Sequence, residues 1–390
     1  MSRVVFALAI AVMLSATRAT ATDGLDAAAG KALFDRIWVP APSSTNASDG
    51  LGPLFNARSC AGCHGGGGGS RVVTRNGKAD LSGAVVRFGT ASGGRDPFYG
   101  LQLQTSAMQG LNPEGAATFV PAFTYSLEGS PLSSGVAAGP RLAPSLAGRA
   151  AFATIPDAEI LKRADPDDAN GDGISGRVNQ LATGIGRYGW KAAHATLEDQ
   201  IAHAFAIDLG LSSPRAPLPF GDCTLVQTTC TAAPTGESPL FDNREVSTAM
   251  LNLVAQYLET VRAPIVPSNS AGAALFEKTG CAACHVPEMK TGNGGTVTAF
   301  TDFLLHDMGP ELDDKVGEPG VASSEWRTAP LLAKKTYPRD LAPRYTHDGV
   351  AKTVEEAIRR HGGEGQNSRA AFRALTNADR QRLIDYVDQR

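Results

Sequence analysis

Two pentapeptides constrain this chain more than anything else in it: Cys60-Ala-Gly-Cys63-His64 and, 221 residues later, Cys281-Ala-Ala-Cys284-His285. Cys-x-x-Cys-His is the attachment signal for a c-type haem. Two thiols three residues apart on one helical turn reach the two vinyl groups of one porphyrin, and the following His is directed at the iron. A four-cysteine zinc site or a thioredoxin-like disulfide accounts for the cysteines but not for a His after each pair. The expectation is two covalent haems, with His64 and His285 as the proximal iron ligands. Such groups also supply core volume to a chain of 390 residues with 43 Gly, 24 Pro and only 6% aromatics.

The third pair, Cys223 and Cys230, lacks a following His and lies in a Thr-rich stretch. A disulfide-closed loop is the expectation, with a reactive thiol pair as the alternative. No flanking Lys or His is present to lower a thiol pKa. Arg3, the apolar run Val4 to Leu14 and Ala19-Thr20-Ala21 read as a signal peptide over 1–21, which implies export to an oxidising periplasm. A membrane anchor is the alternative, but spanning takes about 20 apolar residues. No second run of that kind follows, so no membrane span is expected after signal removal. A net charge of −3 argues against a nucleic-acid partner.

The chain repeats itself in order. Gly30 to Asp35 matches Gly272 to Glu277, and each Cys-x-x-Cys-His matches the other. Arg141 to Ala147 matches Arg327 to Ala333. Arg187-Tyr188 with Thr196 to Ile201 matches Arg344-Tyr345 with Thr353 to Ile358. The offsets fall along the chain, so the first copy carries insertions. The expected organisation is a first copy over 22–261, a linker over 262–270 and a second copy over 271–390. Thr196 with Asp199, Thr353 with Glu356, and Thr376 with Asp379 resemble helix-capping boxes. Val354, Ala357, Ile358 and His361 share one helical face. The predicted fold class is mainly α: two tandem cytochrome c-like domains, each around one covalent haem, the first enlarged.

These residues resemble a known group. Trp326-Arg-Thr-Ala-Pro-Leu331 and Tyr345-Thr-His-Asp-Gly349 are similar to segments of the bacterial di-haem cytochrome c peroxidases and the methylamine dehydrogenase maturation enzyme. A closer resemblance is to the DHOR-type di-haem oxidoreductases, often labelled thiol oxidoreductases. It rests on Gly52 to Asn56, Asn170 to Arg177, Gly186 to Lys191, Leu304 to Gly309 and His361 to Glu364. It covers nearly the whole mature chain.

Function turns on the far side of each iron. In the second copy His361 is the expected sixth ligand, giving a saturated, electron-transferring centre. In the first copy the matching residue is Ala204, which cannot ligate, so that haem is expected to be open. His203, about 100° round the helix, is the rival ligand. The resemblance implies catalytic roles for Gln200 as a distal-pocket residue, Asp208 as the acid–base for peroxide, and Trp190 as an indole relay between the haems. A core Trp and a solvated helix end are the plainer readings of Trp190 and Asp208. No His lies between His64 and His194, so the switchable loop His of many relatives has no counterpart. Gly65 to Gly69 reads as an access path or a disordered turn. His306 and Met308 are read as haem-edge or packing residues.

Asp168, Asn170, Asp172 and Ile174 have the oxygen-ligand spacing of a Ca²⁺ loop, though Asn179 stands where an EF-hand has Glu. An Asx-rich turn is the alternative. Three functions follow. The first is a periplasmic di-haem oxidoreductase that passes electrons from a bis-His haem to an open haem. It would reduce hydrogen peroxide or oxidise a partner, with a c-type cytochrome or cupredoxin as the soluble electron-transfer partner. The second is a di-haem electron-transfer cytochrome without catalysis. The third is a thiol oxidoreductase, for which only the Cys223/Cys230 thiols would be available.

Overall fold

The computed structural model describes residues 24–75, 78–266, 268–332 and 344–390. The expected signal peptide lies outside the described residues, as does Ala333. Ten α-helices occur among the described residues: α1 (24–35), α2 (Cys60–Cys63), α3 (Asp157–Leu161), α4 (Leu197–Asp208), α5 (Thr228–Thr231), α6 (Thr248–Thr260), α7 (Ser270–Lys278), α8 (Val354–Arg359), α9 (Gln366–Ala374) and α10 (Asn377–Asp388). Seven two-stranded sheets lie between them.

The mainly α expectation is therefore corrected. The chain is 29% helix and 18% strand, and it is not clearly a pair of mainly α cytochrome c-like domains. The physical reason is local. Several of the longer helices open on a capping side chain. Ser247 caps α6, and Thr196, Thr353 and Thr376 accept from Asp199 N, Glu356 N and Asp379 N. Elsewhere Gly and Pro interrupt helices, and β-branched runs pair instead. Arg71–Arg75 pairs with Lys78–Ser82, and Ala84–Gly89 with Ala137–Leu142. In the second copy Leu305–Asp307 pairs with Glu325–Arg327.

The principal core runs from Leu33 to Tyr386 and contains residues of both copies. The buried face of α4 (Leu197, Ile201, Ala202, Phe205) and that of α6 (Leu251, Val254, Leu258) belong to this core. The matched segments of the two copies also cross. Leu142 N donates to His347 O at 2.8 Å, and Arg327 N donates to Trp190 O at 3.0 Å. Arg141 pairs with Asp314, while Arg327 Nε donates to Gly189 O at 2.7 Å. Each copy's Arg-x-Ala-Pro segment thus docks on the other's Trp190 or His347 turn.

Candidate haem-binding sites

Both Cys-x-x-Cys-His segments fold as one tight turn. Ser59 caps α2 by accepting from Gly62 N, and His64 N donates to Cys60 O at 2.8 Å. In the second segment Gly280 turns with φ +78°, and His285 N donates to Cys281 O at 2.9 Å. The equivalent hydrogen bond brings each His one turn from the first Cys of its pair. Burial pushes the Cys60 and Cys63 thiols up to about 12, with the nearby Asp208 charge adding to it. Burial likewise raises Cys281 and Cys284.

The two histidines keep different company. His285 Nδ1 is hydrogen-bonded to Phe300 O at 3.1 Å, and His361 Nδ1 to Ala357 O at 2.8 Å. A ring whose Nδ1 donates to a carbonyl keeps Nε2 as its lone-pair nitrogen. The two rings stand 6.4 Å apart between centroids. Metal–imidazole bonds of about 2 Å on opposite sides of one ion put ring centroids on the order of 6 Å apart. Burial, then the neighbouring His361, lowers His285 to about 4. The expected helical placement of His361 needs adjusting. α8 ends at Arg359, and His361 follows in the turn, its N–H on Ile358 O.

His64 Nδ1 contacts Gly68 O at 3.2 Å, and burial lowers its pKa. No described imidazole faces it as His361 faces His285. α4 approaches this segment instead: Asn56 N and Ala57 N, just before Cys60, donate to Asp208 O at 2.8 and 3.1 Å. Gln200, His203, Ala204 and Asp208 form the α4 stripe that keeps some exposed surface while the opposite face is buried. Asp208 is no solvated helix end. Gln102 Nε2 donates to its Oδ1 at 2.8 Å, and burial raises its carboxyl. Gln200 Oε1 is buried without a hydrogen-bond partner and lies against Gly189. His203 pairs with His194, ring centroids 4.7 Å apart, and burial holds it well below the usual range.

The glycine run is neither an open path nor a loose turn. Gly65–Gly67 is a 3₁₀ turn, and Gly67 has φ +79°. A Cβ on Gly67 would meet Val261 at 2.6 Å, and one on Gly69 would meet Ala143 O at 2.5 Å. Close backbone approach explains these glycines.

Trp190 donates from Nε1 to Leu142 O at 2.8 Å. Its ring meets His347 edge-on at 6.4 Å, and His347 stacks on Trp326 at 3.6 Å. Lys191 is fully buried over Trp326 and donates to the carbonyls of Ala322, Ser323 and Glu325. His306 is a packing residue with a task. Its Nε2 meets Asp302 at 2.9 Å and its Nδ1 meets Glu364 at 2.6 Å. Burial alone would lower it, but hydrogen bonds to Asp302, Cys284 and Glu364 raise it to about 12. Glu364 also accepts from Ser175 N at 3.0 Å and Asp307 N at 2.9 Å, which ties the His361 turn to Cys284. No feature of the sequence marked Gln102 as a site residue, whereas Glu364 closes the His361 to Glu364 motif. Gln102 follows an unremarkable Leu101, and only the strand geometry brings it to Asp208.

Asp168, Asn170 and Asp172 spend their oxygens on nearby backbone amides. Asp168 accepts from Gly173 N at 3.1 Å, Asn170 from Asp172 N at 2.8 Å, and Asp172 from Ile174 N at 2.9 Å. Cys223 and Cys230 lie at disulfide distance, Cα atoms 6.2 Å apart. No described helix is long and apolar enough to cross a membrane.

The donor set fits haem. Each site offers two adjacent thiols, a neutral imidazole one turn on and buried surroundings, and the second adds a facing imidazole. Nothing matches among curated proteins or among solved structures. One family model matches residues 124–389, described as "Di-haem oxidoreductase, putative peroxidase". That span is more than half of the chain and takes in the second Cys-x-x-Cys-His, the α4 stripe and the His361 turn: the chain belongs to the DHOR family of di-haem oxidoreductases.

Proposed function

We propose that this chain is an exported, periplasmic c-type member of its family. In this reading Cys60/Cys63 and Cys281/Cys284 hold the two porphyrins by thioether bonds. His64 and His285 are the proximal ligands, and His361 completes the second centre. When bound, the two haems supply redox-active irons, one for relaying electrons and one for a reacting oxidant. The observation that carries the reading is the contrast between His361, 6.4 Å from His285, and the α4 stripe, where the matching position is Ala204.

The chain's own residues then divide the work. Reduction of hydrogen peroxide to two waters takes two electrons and two protons, with a small c-type cytochrome or cupredoxin as the donor. Asp208 accepts a proton from one peroxide oxygen and returns it to the other. Gln102 fixes the carboxyl for that task, and Gln200 offers an unsatisfied oxygen to a hydrogen-bond donor in the pocket. Trp190, His347 and Trp326 provide an aromatic path between the copies. The Cys223/Cys230 pair suits the oxidising compartment. A Ca²⁺ ion on the Asp168 loop would compete with its amide hydrogen bonds and stays outside the mechanism.

A second reading, a carrier without catalysis, is favoured by His203, which stands beside Ala204 on α4. Electron paramagnetic resonance of the ferric protein as isolated decides between them. One high-spin and one low-spin signal are expected. Two low-spin signals that resist peroxide would make the chain a carrier, and recovery of a high-spin signal in His203→Ala would name the masking ligand.

A further inference from the structure

Between the two copies lies a buried cationic cluster that no carboxylate among the described residues pairs with. Arg149 donates from Nε to Ser145 O at 2.8 Å and from Nη2 to Pro330 O at 3.4 Å, but its buried Nη1 has no partner. Arg327 is 6% exposed, and its acceptors among the described residues, Gly189 O and Thr328 O, are both backbone carbonyls. Among the described residues neither guanidinium is ion-paired. Asp302, the carboxylate acting on Arg327, is committed to His306 Nε2 and Leu304 N, each at 2.9 Å. Burial and the facing Arg327 lower Arg149 to about 9, and burial lowers Arg327 to about 10. Tyr188, which senses both charges, has a buried hydroxyl without a partner, and so does Thr328.

Two buried cations without an ion pair among the described residues, and three buried polar groups without hydrogen-bond partners, are costly. An acceptor-only group with several lone pairs removes that cost, and a carboxylate matches the guanidinium edge. The seat also lies close to both proximal ligands. Leu146 N, in the turn that carries Arg149, donates to Gly67 O at 3.0 Å, three residues after His64. Thr328 O accepts from Thr301 Oγ1 at 2.7 Å, next to Phe300, whose carbonyl holds His285 Nδ1.

We infer that Arg149 Nη1, Tyr188 OH and Thr328 Oγ1, backed by Arg327, receive a propionate carboxylate of a bound porphyrin. The inference rests on the reading that the chain holds haem, and its test separates the two. Pyridine haemochrome analysis of the holoprotein counts covalent haems; a wild-type chain without them ends the haem reading and this seat with it. With haem present, Arg149→Gln is expected to shift one haem's reduction potential to a lower value, because a cation beside the porphyrin favours the ferrous state. The resonance Raman propionate-bending band should move with it. Arg149→Lys keeps the charge and should shift the potential less. Should Arg149→Gln fail to fold, Tyr188→Phe is read by the same Raman band. Full haem content with unchanged potentials and Raman bands overturns the seat. So does a potential shift that follows added acetate, which would assign the cluster to a free anion.

Discussion

The two Cys-x-x-Cys-His turns are near twins in backbone, yet their surroundings diverge. The second faces another imidazole and sits among charges that are matched: His306 between Asp302 and Glu364, and Asp314 between Arg141 and His347. Burial alone would raise Asp314, but His347 and Arg141 outweigh it and hold it at about 2. The first faces the α4 stripe, and for the acids behind it burial outweighs the more distant Arg87, with no ion pair among the described residues. Burial raises Asp208, takes Asp222 to about 7 and takes Glu114 to about 8. Around the second turn these charges are paired, whereas behind the first burial holds protons on Asp208, Asp222 and Glu114. That division suits an electron-relaying centre beside a proton-handling one.

The largest expected effect breaks the comparison outright. His361→Ala removes the imidazole opposite His285, so the low-spin signal of the second centre should be lost and replaced by a high-spin one. Retention of that signal would mean that another residue is the ligand. Next in size, Asp208→Asn is expected to lower peroxide turnover by about 10²–10⁴-fold, with both haem spectra unchanged, as followed by stopped-flow absorbance. Because burial raises this carboxyl and the acceptor form is the carboxylate, wild-type turnover should climb as pH rises through a value above the ordinary 3.8. Gln102→Leu, which frees the carboxyl without removing it, should cost less, about tenfold.

The smallest effect sharpens the contrast in proton holding. Glu114 accepts from Gln104 N at 2.8 Å and Gln227 Nε2 at 2.6 Å, yet burial dominates. Its folded pKa of about 8 lies above the ordinary 4.5, so the folded state binds the extra proton. The stability it contributes is present below about 4.5 and is lost as pH rises towards 8. Thermal unfolding of Glu114→Gln should therefore show a flatter pH slope between 5 and 8 than wild type. Equal slopes would place the Glu114 pKa at its ordinary value.

How much of this was legible beforehand varies by residue. The two Cys-x-x-Cys-His segments, proposed above as haem-attachment sites, are written in contiguous sequence, because that chemistry needs fixed spacing on one turn. The three Thr caps were equally readable, since a cap acts within three residues. Fold class was not. The capped helices are real, but the Val- and Thr-containing stretches of the first copy's insertions pair as hairpins, and pairing partners such as Ala84–Gly89 and Ala137–Leu142 lie far apart in sequence. Asp208 could be suspected from its place on α4, whereas Gln102, 106 residues away, could not.

The sequence by itself determined two Cys-x-x-Cys-His segments and a duplicated order of segments, all of them short-range patterns. Only the tertiary structure decided that His361 stands opposite His285 and that Gln102 holds Asp208. It alone brought Trp190 of one copy against His347 of the other, and it left Arg149 and Arg327 buried without an ion pair among the described residues. These depend on long-range packing, in which burial and neighbours, not residue type, set what each side chain can do.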